Sequence, residues 1–66
     1  MLTLRQLRES KFMSQEDLAR QSSVAAATIN RLENGHHKPR FVTIRKLAEA
    51  LGVEPNVIDF SRNIGG

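Results

Sequence analysis

Ser14-Gln15-Glu16-Asp17-Leu18-Ala19-Arg20-Gln21-Ser22-Ser23-Val24-Ala25-Ala26-Ala27-Thr28-Ile29-Asn30-Arg31-Leu32-Glu33-Asn34-Gly35 reads as two helices and the turn between them. Ser14 is placed to cap a helix, and Asp17, three residues on, is placed to reach back as the acidic half of a capping box. Glu16 and Asp17 then lie at the positive end of the helix dipole. Leu18 and Ala19 face inward, and the periodicity dissolves at Ser22-Ser23, a turn signal. The next helix spans residues 25–34, with Ala25, Ile29 and Leu32 on its buried side and Gly35 ending it.

Outward from this stretch the same period recurs. Ile44, Leu47, Ala48 and Leu51 fall at i, i+3, i+4 and i+7, one face of a helix that begins after Pro39 and ends at Gly52. Leu4 and Leu7, with Arg5, Arg8 and Glu9 beside them, make a short first helix. Pro55, suited to a first turn, opens a last helix through Val57, Ile58 and Phe60. No stretch alternates apolar and polar residues for long, so the expectation is an all-α, five-helix bundle. Its core draws on Leu4, Leu7, Met13, Leu18, Ala19, Val24, Ile29, Leu32, Ile44, Leu47, Ala48, Leu51, Val53, Val57, Ile58 and Phe60. Residues 1–60 form the one domain and residues 61–66 a polar tail.

Composition narrows the chemistry. The chain has 66 residues and no cysteine, which excludes disulfides, thiolate metal sites and thiol catalysis. No glycine-rich phosphate loop and no carboxylate pair with a candidate pocket is present, so no enzyme and no cofactor is expected. His36-His37 is the one hint of metal, but adjacent histidines diverge and no third ligand is suitably spaced. Their protonation on acidification would instead add positive charge to the loop. Neither a membrane span nor a secretory signal is recognisable, and a cytoplasmic location is expected. The formal charge of +3 is modest, yet residues 34–46 hold Lys38, Arg40, Arg45 and Lys46 and no acid.

With Ala25, Ile29 and Leu32 inward, Ala27, Asn30, Arg31 and Asn34 point outward, with Ala26 at the edge. Asn and Arg among small residues suit a helix that enters a major groove, because small side chains permit close approach while amide and guanidinium groups pair with base edges. A solvated face is the alternative for such a helix by itself. Two helices with a turn of about three residues between them, the first holding Ala19 where the two approach closely, is helix-turn-helix geometry. Counting from Gln15, Leu18, Val24, Ile29 and Leu32 stand at places 4, 10, 15 and 18, with Ala19 at place 5. The run from Ser14 to Gln21, then Val24, then Thr28 to Gly35, closely resembles the lambda-repressor-like Cro/XRE helix-turn-helix family. So does Pro39 followed by Thr43 to Val53, and the resemblance covers about residues 4–60.

That resemblance implies a compact lambda-repressor-like fold, in which the second and third helices form the DNA-binding unit. It implies a phosphate contact at Gln15 and base reading from Ala26, Ala27, Asn30 and Arg31, with Thr28 on a phosphate or base edge. The loop from Asn34 through Lys38 to Arg40 would touch the backbone, and Arg5 or Arg8 would be further phosphate ligands. The chain departs from the family at Ser23 and Phe12, where relatives carry glycine, and at Ala25, which replaces a Ser or Thr cap. Ala26 and Ala27 stand where relatives often hold polar readers, which leaves the hydrogen bonding to Asn30 and Arg31. The implied function is sequence-specific binding of double-stranded DNA at a palindromic operator, by a homodimeric, repressor-like regulator. Val57, Phe60 and Ile64 are candidates for its dimer surface. The alternative is a protein-interaction module such as an antitoxin, against which the six residues after Phe60 make a short partner-binding segment.

Overall fold

The computed structural model describes residues 2–35 and 38–60. A two-residue strand, β1 (Leu2–Thr3), leads into four helices: α1 (Leu4–Ser10), α2 (Gln15–Ser22), α3 (Ala26–Glu33) and α4 (Phe41–Leu51). A single 3-10 turn (Pro55–Val57) and a second short strand, β2 (Ile58–Asp59), follow.

Local chemistry sets most helix ends. Thr3 and Ser14 each cap a helix with the hydroxyl on the backbone N–H three residues on, and Gln6 and Asp17 return the bond to the cap's own N–H. At the other end α4 stops at Gly52, whose φ of 72° places it in the left-handed region. The N–H groups of Gly52 and Val53 then close on the carbonyls of Glu49 and Ala48. The end of α1 repeats this pattern with Phe12 in glycine's place. Phe12 N–H donates to the Glu9 carbonyl and Met13 N–H to that of Arg8, and Phe12 holds φ at 56° while 95% exposed. Ser23, after α2, is the second non-glycine residue in this region, at φ 62°. Each carries the Cβ penalty that glycine avoids.

Leu4, Leu7, Leu18, Val24, Ile29, Leu32, Leu47, Ala48, Leu51 and Ile58 make one buried cluster. Met13, Ala19, Val53 and Phe60 pack at its margin. α2 packs against both α3 and α4. Ile44 is half-buried, so the predicted face of α4 is inward, with Leu47, Ala48 and Leu51 its sealed part.

Three expectations change. The fifth helix is replaced by the 3-10 turn and β2, which pairs in parallel with β1 in the register Leu2 with Ile58 and Thr3 with Asp59. Six residues are too few to offset the cost of helix nucleation, and Val57 and Ile58 are β-branched residues that favour extended backbone. Side chains alternate along the extended chain from Ile58, so Ile58 enters the core and Phe60 leans on it, while Val57, the last residue of the 3-10 turn, is outward at 38% exposure. Val57 is therefore not a core residue. Ala25 is not on the buried side of α3 either: it is exposed and occupies the N-cap position with no side-chain bond to offer. His36, His37, Ile64 and the rest of the tail lie outside the described residues.

Candidate nucleic-acid interface

Ser23, Val24 and Ala25 connect α2 to α3. Val24 is buried, and its N–H bonds to the Ser22 hydroxyl at 3.2 Å, which pins the turn from inside. Ile29 and Leu32 anchor the inner side of α3. Helical geometry then turns Ala27, Asn30, Arg31 and Asn34 outward, and all four are exposed, with Ala26 half-buried at the edge. Arg31 makes no ion pair among the described residues. The outward surface predicted for the third helix is therefore present, and it sets small alanines beside the polar Asn30, Arg31 and Asn34.

Glu33, a residue the sequence reading did not single out, organises this surface from below. Its side chain is wholly buried. Arg8 grips it with two nitrogens, Nε to Oε2 at 2.6 Å and Nη2 to Oε1 at 3.0 Å. The remaining Arg8 nitrogen, Nη1, donates to the Met13 carbonyl at 2.7 Å, which fastens the Phe12 turn to the same group. The hydrogen bond to Glu33, opposed by desolvation, raises the Arg8 pKa above its ordinary value, so the guanidinium is permanently charged. Arg5 reaches Glu33 Oε1 at 3.6 Å from a more exposed position. The expectation that Arg8 is a phosphate ligand is thus corrected, because all of its nitrogens are engaged inside the protein. A signal was there: Arg8 follows Leu4 by four residues and so sits on the apolar face of α1. A charge placed there needs a buried counter-charge.

The network extends to the reading surface. Gln15 Nε2 donates to Glu33 Oε1 at 3.0 Å and lies 3.5 Å from Asn30 Oδ1, and Asn34 Nδ2 donates to the same Asn30 oxygen at 3.0 Å. Three of the predicted residues, Gln15, Asn30 and Asn34, are thereby linked across the α2–α3 junction.

A second group forms beside them. Thr28, Lys38, Pro39, Arg40 and Thr43 line an open cleft of about 400 Å³. Arg40 is the N-cap of α4 and makes no side-chain capping bond. The first N–H groups of α4 therefore lie next to two cations and two hydroxyl side chains, a setting suited to an anion. Thr43 was not among the sequence candidates. It stands two residues past Phe41, the first residue of α4, in the first turn, where a hydroxyl next to open amides is a recognisable mark.

A helix-turn-helix family profile (HTH_3) matches residues 4–58. Over 51 residues the chain is 49% identical to the HTH-type transcriptional repressor RghR of Bacillus subtilis (strain 168). The match takes in 76% of this chain and 38% of RghR, so the chain spans well under half the length of that relative. Among solved structures, the restriction-modification controller protein C.AhdI from Aeromonas hydrophila superposes with a TM-score of 0.78 at 42% identity, covering 80% of each chain. The chain therefore belongs to the Cro/XRE-like helix-turn-helix family, whose members are DNA-binding transcription regulators.

Proposed function

We propose that this protein binds double-stranded DNA sequence-specifically as a small repressor-like regulator, with α3 in the major groove. The observation that carries this reading is the pairing of two surfaces. The outward face of α3 offers alanine methyls, an asparagine and a free arginine, and the Thr28–Lys38–Arg40–Thr43 cleft flanks it. On this reading Ala26 and Ala27 approach thymine methyls, Asn30 and Arg31 bond base edges, and Lys38 and Arg40 neutralise phosphate. Thr28 meets phosphate from within the cleft, and Asn34 meets it from the end of α3. Gln15, whose side chain is held by Glu33, contributes the backbone N–H at the start of α2. The repressor activity of RghR and the controller role of C.AhdI favour a regulator over other uses of the fold.

One copy is 30 Å in its longest dimension and presents one reading helix, while half-sites read from one side of DNA lie about 34 Å apart. The reading therefore includes a twofold dimer. Its surface is the exposed face of α4 with the turn that follows, where Val42, Arg45, Lys46, Glu49, Val53 and Glu54 line an open cleft. The four charges make no ion pair among the described residues. They also run from positive to negative along the chain. Two copies of α4 packed antiparallel about a twofold axis bring Arg45 and Lys46 of each opposite Glu49 and Glu54 of the other, with Val42 near Val53. Thr43 lies on a different side of α4, so the anion cleft stays open in such a dimer.

Selection of bound duplexes from a random library tests the whole reading. A palindrome with half-site centres about one helical turn apart is expected, and its preference should relax when Arg31→Ala is selected in parallel. Failure to enrich any sequence refutes sequence-specific binding.

A further inference from the structure

We infer that Asn30 reads guanine and rejects adenine, because the network beneath it fixes which half of its amide faces the groove. The inference rests on the reading of α3 as the major-groove helix and names the base that one residue of that site selects.

Glu33 is a buried carboxylate held by Arg8, so it can only accept hydrogen bonds. The Gln15 atom that meets it at 3.0 Å must therefore be the donor Nε2. The same nitrogen faces Asn30 at 3.5 Å, so the Asn30 atom turned toward it is the acceptor, Oδ1. Asn34 Nδ2 donates to that oxygen as well, at 3.0 Å. A carbonyl oxygen has two lone pairs, and here both have donors. What Asn30 has left for a ligand is Nδ2, with its two hydrogens and no acceptor beside it.

An asparagine that reads adenine uses both halves of its amide, donating to N7 and accepting from N6. In this protein the accepting half is already engaged, and an adenine would set its N6 hydrogens against those of Asn30. Guanine presents two acceptors side by side, N7 and O6, and suits an amide that can only donate. Asn34 is on this account a positioning residue, acting through Asn30 on the base.

The test is a competition titration on a selected duplex, with each position of one half-site changed in turn to all four bases. The position that Asn30 reads is the one whose preference disappears in Asn30→Ala. There the wild type is expected to favour guanine over adenine on the order of tenfold. Asn34→Ala frees one lone pair and lets the amide turn, so that ratio should fall to a few-fold while preferences elsewhere hold. Asn34→Asp, which accepts where Asn34 donates, should draw the Asn30 nitrogen inward and remove the guanine preference. A readout without DNA accompanies these: the Asn34 side-chain amide protons should exchange with solvent more slowly than those of Asn30. Adenine preferred at the Asn30 position overturns the inference. So does a ratio unmoved by either Asn34 variant, an Asn30→Ala protein with every preference intact, or equal exchange of the two amides. Absence of binding to any duplex refutes the major-groove reading itself and the inference with it.

Discussion

Removal of the Arg8 side chain tests how the buried Glu33 carboxylate is held. Arg8→Ala deletes two hydrogen bonds to Glu33 and one to the Met13 carbonyl, and leaves a fully buried carboxylate without its main counter-charge. Breaking one side of a buried pair costs about 3–5 kcal/mol. Arg5 and Gln15 still reach Glu33, so the lower end of that range, about 3 kcal/mol, is expected here. A 66-residue domain has a total stability of about 3–10 kcal/mol, so the variant should be marginally folded at best. The companion double variant, Arg8→Met with Glu33→Leu, replaces the pair by apolar groups of similar volume and should recover to within about 1 kcal/mol of the parent. Urea unfolding followed by circular dichroism gives both differences, provided the slope with denaturant is unchanged. A loss below about 1 kcal/mol for Arg8→Ala would show that the carboxylate finds other compensation. A double variant as unstable as the single one would place the cost in packing and the lost bond to the Met13 carbonyl rather than in the abandoned charge.

Ser23→Gly and Phe12→Gly each relieve a left-handed residue. Each should add on the order of 1 kcal/mol, or about 4–8 °C in Tm, and an unchanged melting point would refute the strain assigned to that residue. Asp17 accepts the Ser14 backbone and side-chain bonds that hold its pKa below the ordinary aspartate value. Its contribution is therefore complete above the unfolded pKa, near 3.9, and lost as pH falls through the lower folded value. The melting difference between wild type and Asp17→Ala should accordingly close in strong acid, and a gap that survives unchanged at pH 2 contradicts this. Lys38→Ala should weaken binding equally on all duplexes and reduce the salt slope by about one, whereas Arg31→Ala should change base preference; identical behaviour of the two variants would remove the distinction between cleft and reading face. Reversing Arg45→Glu should raise the concentration needed for dimers in sedimentation experiments, and Arg45→Glu combined with Glu49→Arg should restore them. No effect of either variant excludes the α4 face as the dimer surface.

The four main helices and most of the core are legible in the sequence because their determinants are local. Ser14 with Asp17, the period of Ile44 to Leu51, and Gly52 each act within one or two turns of chain. The end of the domain is not legible in this way. Whether Val57 or Ile58 faces inward depends on pairing with Leu2 and Thr3, more than fifty residues away, and no periodicity over six residues encodes that. The outward set on α3 follows from rotation about a helix axis, so Asn30 and Arg31 are found readily. Glu33 is missed for the same reason: rotation places it on the flank, and only the tertiary approach of α1 makes it a buried hub. The assignment of Arg8 to phosphate fails likewise, since a basic residue beside other basic residues looks solvated until its partner is known.

The burial of Glu33 divides the electrostatics of this small protein into two regimes. Lys38 and Arg40 stand in solvent, where mobile ions weaken a charge beyond about 8 Å at physiological ionic strength. The Arg8–Glu33 contact excludes those ions and keeps its strength. Added salt should therefore loosen the protein's hold on any polyanion long before it disturbs the geometry that Glu33 imposes on Gln15 and Asn30. Affinity and base preference become separable quantities: as ionic strength rises, the first should fall steeply while the second stays nearly constant.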